Sequence, residues 1–328
     1  MSLLSPEFGK EECPLLLEDI HGQFSMLLTS QGKGSSEKLI VGNKETKELY
    51  RERRKPNGEN GTVKRGRMQR KRENKEKKQK RETMTLRETP PNDAIKPANP
   101  AQICQLYKNQ YRFATLYDRD NRIPIYSAYV YQPGYGKRPD SWMVEPQLMG
   151  SNYQKEMATE WILLNAIGVD QGLLNESQAV LRDYKNLTNF NRGHLNPNGH
   201  QPDPDYKAAT FTLTNIVPQF MNLNSGKWNN YEQEVMMSRT EGCATTYAVV
   251  GVVPGNNYIA GGRVNKPSHI WSAACCEIDN NHRKSWAVIA PNDQNAVELL
   301  TLGELEERLV ELYRKEEILL FDSDCPRQ

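Results

Sequence analysis

Residues 189–232 read NFNRGHLNPNGHQPDPDYKAATFTLTNIVPQFMNLNSGKWNNYE, and the fold follows from how that stretch divides. Asn191-Arg192-Gly193-His194 is a compact polar turn carrying one guanidinium and one imidazole. From Ala208 to Pro218, apolar Phe211, Leu213 and Ile216 stand among Thr and Asn, the alternation of a half-buried strand. From Asn224 the period becomes helical, and Asn224, Trp228 and Glu232 at i, i+4 and i+8 share nearly one helix face. Strand, loop and helix thus bring together an imidazole, an amide and a carboxylate. That set suits one hard cation and one activated water.

The ordered set is Arg192-Gly193-His194, then Asn215-Ile216-Val217-Pro218-Gln219, then Asn224-Ser225-Gly226-Lys227-Trp228 and Glu232. It resembles the DNA/RNA non-specific endonucleases, whose fold is the ββα-metal (His-Me finger) type. His194 and Asn224 stand thirty positions apart, as in that family. The resemblance implies an α+β nuclease domain with a mixed or antiparallel sheet and inserted helices. It also implies a Mg²⁺ ion, with Mn²⁺ as a substitute, held by Asn224. His194 would be the general base, and Glu232 would accept hydrogen bonds from the ion's waters. Arg192 would brace the phosphate or the loop. Arg138, in the polar loop Gly134 to Trp142, matches by position the family arginine that approaches the scissile phosphate. The family tetrad opens on Asp, whereas this chain has Asn191. An Asn keeps the shape and loses the charge. The alternative to an active endonuclease is therefore a catalytically weakened homologue that binds nucleic acid or a protein.

Phosphodiester hydrolysis needs water deprotonated, phosphoryl charge stabilised and the leaving oxygen neutralised. A neutral histidine, with its ordinary pKa near ~6.5, suits the first task, with its other ring nitrogen held by a backbone carbonyl. A neutral Asn ligand leaves the full charge of Mg²⁺ for the phosphate. Contacts of this kind engage DNA and RNA through the phosphate backbone and read no bases. Taken singly, the same residues have ordinary roles. Asn224 would be a helix N-cap, Trp228 a core residue and His200 a structural histidine.

The chain has 328 residues and a net charge of +2, which hides a split. Residues 1–99 carry 22 Lys/Arg against 15 Asp/Glu, and residues 100–328 carry 21 against 26. The nuclease domain, expected over 100–328, is therefore mildly acidic. Nucleic-acid binding then falls to a local basic cleft or to the tail. Residues 1–99 have too few apolar side chains to offset chain entropy and are expected to be disordered. Lys77-Lys78-Gln79-Lys80-Arg81 reads as a nucleic-acid tether, a nuclear-import patch or a plain charged linker. No run of eighteen apolar residues marks a membrane span, and no signal peptide is visible. The family resemblance points to secretion, and the basic tail points to a nuclear or cytoplasmic location. Nothing in the sequence supports a homo-oligomer.

Arg112 to Tyr117 and Ile123 to Tyr131 form a hairpin pattern around Asp118 to Arg122. That run also resembles the opening of the same nucleases, more narrowly the vertebrate endonuclease domain-containing 1 proteins. Leu163 to Asp183 carries one helical piece among turns. Thr245 to Val253, Pro267 to Ser272 and Ser285 to Pro291 read as strands. Thr301 to Lys315 reads as a helix with a Thr301/Glu304 capping box. The cysteines are Cys13, Cys104, Cys243, Cys275, Cys276 and Cys325. They lack paired zinc spacing and read as disulfides or buried thiols, with no connectivity deducible. Asn175-Glu176-Ser177 and Asn186-Leu187-Thr188 are glycosylation sequons.

Overall fold

The computed structural model describes residues 94–279 and 281–328. The basic tail and its Lys77 to Arg81 cluster lie outside the described residues, as does the expectation of disorder there. Strands β1 (Pro100–Tyr107), β2 (Gln110–Asp118) and β3 (Ile123–Val130) come first, and β4 (Phe190–His194) and β5 (Ile216–Phe220) follow. Then come β6 (Thr245–Val253), β7 (Asn257–Ile259), β8 (Val264–Lys266), β9 (His269–Glu277), β10 (Arg283–Pro291) and β11 (Glu298–Leu300). Seven of them form one sheet in the order β1-β2-β3-β6-β9-β10-β11, paired antiparallel throughout. Strands β4 and β5 form a separate hairpin, as do β7 and β8.

The central strands are apolar on both faces because the sheet is covered on both sides. On β6, Ala248, Val250 and Val252 join one core cluster, while Val249 and Val253 belong to the other. On β10, Trp286, Val288 and Ala290 face the first cluster, and Ala287 and Ile289 the second. This is period-two geometry with a hydrophobic layer on each side. The first layer is the long excursion between β3 and β6, which carries the quoted stretch. The second is a C-terminal helix with the residues after it.

The helices of the excursion are α1 (Gln171–Ser177), α2 (Pro204–Ala209), α3 (Met221–Asn224), α4 (Lys227–Asn230) and α5 (Met236–Arg239). A π-helical turn, Tyr231–Val235, joins α4 to α5. The C-terminal helix α6 (Leu302–Tyr313) starts on the expected capping box. Thr301 Oγ1 accepts from the Glu304 amide at 3.2 Å, and Glu304 Oε2 accepts from the Thr301 amide at 2.7 Å. Its Leu302, Leu305 and Leu309 seal the second layer. Ile95, ahead of β1, also packs there.

Vicinal Cys275 and Cys276 sit on β9, so their side chains leave the sheet on opposite faces. Cys276 bonds Cys243, just after α5, and Cys275 bonds Cys325 near the C-terminus. Each layer is thereby tied to the same strand. The disulfide reading of the cysteines holds for both pairs.

Several expectations change in detail. The α+β architecture and the β2/β3 hairpin are as read, and of the mixed or antiparallel sheet expected it is the antiparallel one that forms. Asp118 shapes that turn by accepting from the amides of Asp120 and Asn121 and from Asn121 Nδ2. Strand β1 had not been anticipated, and β9 runs on from Ser272 to Glu277. The strand read over Ala208 to Pro218 is confined to β5 and its neighbours. Helix α2 occupies 204–209, because Pro204 sits in its first turn and Asp203 caps it through the amides of Asp205 and Tyr206. A 3₁₀ turn, Leu213–Asn215, follows. The alternating polar residues do not face solvent. Thr212, Thr214 and Asn215 are fully buried and hydrogen-bonded, so the apolar/polar alternation marks two kinds of interior rather than inside and outside.

Candidate active site

Strands β4 and β5 pair antiparallel, with Asn191 opposite Gln219 and His194 opposite Ile216. The helical run begins directly after β5, which completes a ββα unit. Gly193 is required by the hairpin's own packing. A Cβ there would lie 2.1 Å from Gln219 Oε1 and 2.5 Å from Gln219 Cβ. Asn215 then fixes the turn that follows His194. Its Nδ2 donates to the carbonyls of Asn196 and Thr210, each at 3.0 Å, and its Oδ1 accepts from the Asn196 amide and Ser127 Oγ. All four hydrogen-bonding positions of that amide are used.

The helix is less regular than its sequence spacing implies. Asn224 ends α3 rather than capping a helix start, and Ser225-Gly226 break the run before α4. At Gly226 a Cβ would meet the Asn222 carbonyl oxygen at 2.4 Å. Trp228 is buried in the first core layer, and Tyr231 donates to Ser272 Oγ of β9 at 2.9 Å. These two side chains bolt the helix to the sheet. Trp228 also reaches outward, since its Nε1 donates to Glu232 Oε1 at 2.9 Å.

A cleft of about 770 Å³ opens beside this unit, and Arg138, Arg192, His194, Asn224 and Glu232 all line it. The His194 ring lies between Trp142 and Phe211, with centroid distances of 5.4 and 4.9 Å. Each of those rings also carries a guanidinium. Arg192 lies 5.1 Å over Trp142, and Arg138 lies 5.2 Å over Phe211. The imidazole is thus enclosed by aromatic faces and flanked by two cations. Burial first, then Arg138 and Arg192, push its pKa down to about 3. His194 Nε2 is buried and has no hydrogen-bond partner, so the backbone carbonyl expected to hold it is not there. Tilted and edge-on contacts with Trp142 and Phe211, not a hydrogen bond, orient the ring. Arg192 Nε and Gln219 Nε2 of the same hairpin are likewise buried without a partner.

Glu232 is raised to about 8 by burial, a rise opposed by the Trp228 hydrogen bond and by Arg138. His200 is structural, as read. Its ring nitrogens meet Tyr129 Oη and the Glu232 carbonyl, each at 2.9 Å, which holds the π-helical turn in place. Asn224 Nδ2 donates to Asn191 Oδ1 at 2.6 Å. The residue that departs from the family pattern is therefore in direct contact with the expected metal ligand. With its Nδ2 so engaged, Asn224 keeps Oδ1 as an oxygen donor. Among the described residues no group of three or more His, Cys, Asp and Glu could hold a metal. One amide oxygen with a nearby carboxylate fits a hard cation that retains most of its waters, and does not fit a closed zinc site.

Sequence reasoning missed Trp142, Phe211 and Asn215 as site residues, and it missed the Asn191–Asn224 bond. Trp142 had no motif to betray it, because it meets His194 only through the fold. The Asn-Ile-x-Pro-Gln segment was the available signal for Asn215.

The sequence pattern of the DNA/RNA non-specific endonuclease family matches residues 90–328. The human endonuclease domain-containing 1 protein is 30% identical over 213 residues, which is 63% of this chain and 41% of that protein. The mouse protein of the same name is 28% identical over 227 residues, 67% of this chain and 43% of its own. The matched region thus spans less than half the length of these relatives. A chain from the crystal structure of the EndoG/EndoGI complex aligns with 15% identity and a TM-score of 0.42, covering 69% of this chain and 90% of that one. From the match over residues 90–328, this chain belongs to the DNA/RNA non-specific endonuclease family.

Proposed function

We propose that this chain is a Mg²⁺-dependent endonuclease that hydrolyses phosphodiester bonds of DNA and RNA without base specificity. The observation that carries this reading is the convergence of an imidazole, two guanidiniums, an amide oxygen donor and a carboxylate on one cleft. Asn224 would hold the ion through Oδ1, since its Nδ2 is committed to Asn191. Mg²⁺, when bound, stabilises charge on the phosphoryl and leaving oxygens.

The chain's own groups do the rest. Arg138 and Arg192 present two positive charges on either side of His194 and seat the phosphate between them. A pKa of about 3 makes the free imidazole a weak base; burial is the largest cause, and those two arginines add to it. A phosphate anion between the guanidiniums offsets their repulsion and raises His194 towards the ordinary range. The base thus gains strength when substrate is present. His194 then takes the proton of the attacking water. Glu232 would be kept ionised by a divalent cation bound nearby and would then accept hydrogen bonds from water in the cleft. Recognition through phosphate and not through base edges accounts for indifference to sequence and sugar.

Asn191 favours retained activity over the weakened-homologue reading. Its carbonyl still accepts from Asn224, the contact that a carboxylate would make there. The two disulfides favour a secreted protein over a nuclear or cytoplasmic one. Among the described residues no helix is long and apolar enough to cross a membrane. Plasmid cleavage with Mg²⁺, without it and with EDTA tests the proposal. Cleavage that depends on the ion and is lost in His194→Ala is expected. A native chain inert at every Mg²⁺ or Mn²⁺ concentration would replace it with the weakened-homologue reading.

A further inference from the structure

We infer that Asn186 is a site of N-linked glycosylation, and that of the chain's two sequons within the nuclease domain it is the one presented for modification. The tripeptide Asn186-Leu187-Thr188 lies between the 3₁₀ turn Leu181–Tyr184 and β4, two firmly packed elements. Leu187 packs against the first core layer, while Asn186 and Thr188 on either side of it are exposed. The backbone turns through the left-handed region at Asn186, with φ of 55°, and again at Asn189, with φ of 61°. Asn tolerates that conformation better than most residues, and it places the carboxamide at the apex of a turn. Among the described residues neither the Asn186 carboxamide nor the Thr188 hydroxyl has a hydrogen-bond partner in the chain. Both groups that define a sequon are therefore free, and a glycan at this apex displaces nothing.

The other sequon is used by the fold. Asn175 is half-buried in α1, and its backbone carbonyl, not its carboxamide, accepts from Arg263 Nη2 at 2.8 Å. Ser177 Oγ donates to the Leu174 carbonyl at 2.9 Å and accepts from Gln178 Nε2 at 3.3 Å. Chance would produce both triplets alike, but only one of them is left unengaged by the structure.

The second line of argument is chemical. Disulfides form in the oxidising compartments of the secretory route, where a lipid-linked oligosaccharide diphosphate serves as glycosyl donor. In the transfer, the Asn186 amide nitrogen bonds the anomeric carbon of the sugar. That carbon's bond to the diphosphate oxygen breaks, the diphosphate leaves with the electron pair, and the amide gives up one proton. The inference rests on the secreted reading and is independent of the nuclease reading. Asn186 does not line the cleft, so the glycan leaves the proposed catalytic groups uncovered.

The test is to produce the full chain, with its third sequon Asn60-Gly61-Thr62 removed in every sample by Asn60→Gln, in animal cells and to recover it from medium and lysate. Its mobility is compared before and after peptide N-glycosidase, and the peptide holding residue 186 is identified by mass. The expected result is a mobility shift on treatment, with aspartate in place of Asn186 in the freed peptide. Asn186→Gln and Thr188→Ala should abolish the shift, while Thr188→Ser and Asn175→Gln should keep it. An unmodified residue 186 in a chain whose disulfides have formed overturns the inference and leaves secretion standing. An unmodified residue 186 in a chain with reduced cysteines, found only in lysate, overturns both. A shift lost in Asn175→Gln and kept in Asn186→Gln also overturns it.

Discussion

His194 sits between two aromatic rings and two guanidiniums, and the pH behaviour of the enzyme should report that enclosure. For the free protein, the neutral and reactive form persists as pH falls well below 6.5, because burial and the arginines hold the pKa near about 3. In the substrate complex the phosphate cancels part of the repulsion. The acid limb of kcat/KM should therefore lie lower than the acid limb of kcat, since the first reports free enzyme and the second the complex. Two limbs that coincide near the ordinary histidine value would show that the arginines do not govern the base. His194→Ala should lower kcat by about 10²–10⁴-fold with the circular dichroism spectrum unchanged. At Asn224 the measurement is the metal requirement. Asn224→Ala should raise the Mg²⁺ needed for half-maximal cleavage, and Asn191→Ala should raise it by about 10–100-fold through loss of the orienting bond. Asn191→Asp keeps the acceptor, adds a negative charge beside the ligand and should lower the requirement. An Asn191→Ala titration that overlays the native curve would separate Asn191 from the metal.

At the scale of elements, the buried polar residues beneath the hairpin govern stability more than their number suggests. Glu145 has no exposed surface, and its Oε1 accepts from Thr212 at 3.1 Å and from Thr214 at 3.5 Å. Burial pushes its carboxyl up to about 7 from the ordinary 4.5. A raised carboxylate favours folding when protonated. Its contribution is complete below pH 4.5 and is lost as pH rises to about 7, at most about 3 kcal/mol for this group. Glu145→Gln keeps an acceptor for the threonines and removes the titration. Urea unfolding of that variant at pH 4.5 and pH 8 should show a smaller difference than in the native chain, and an unchanged difference would clear Glu145 of the effect. This network also shows where the sequence stopped being legible. The ββα order and Arg192, His194, Asn224 and Glu232 were readable because the motif leaves a spaced trace, whereas Arg138 was named only by its loop position in the family resemblance. Thr212, Thr214 and Asn215 leave the trace of a solvent face, since composition records polarity and not whether a partner lies across the core. Trp142 and Phe211 meet His194 only after the excursion between β3 and β6 has closed on itself. The break at Gly226 was hidden because Asn224, Trp228 and Glu232 keep helical spacing across it.

At the scale of the whole molecule, the two disulfides among the described residues divide the work. Cys243–Cys276 fastens the end of the helical run that carries Glu232, and Cys275–Cys325 fastens the C-terminal layer. Replacing either pair by serine should cost about 2–5 kcal/mol in unfolding experiments. The consequences for cleavage should differ. Cys243→Ser with Cys276→Ser loosens the helix and should lower kcat, whereas Cys275→Ser with Cys325→Ser should leave kcat near native below the melting transition. Equal losses of kcat in both double variants would mean that the C-terminal layer shapes the cleft as well. The adjacency of Cys275 and Cys276 has a further consequence during maturation. If β9 were to pair one residue out of frame, each thiol would emerge on the side where the other's partner waits. The oxidised chain would then join the wrong layers, with 243 linked to 275 and 276 to 325. The native pairing is therefore a proofreading mark, available only to molecules whose central strand is already in frame, and non-reducing peptide maps of refolding mixtures would count the molecules that closed too early.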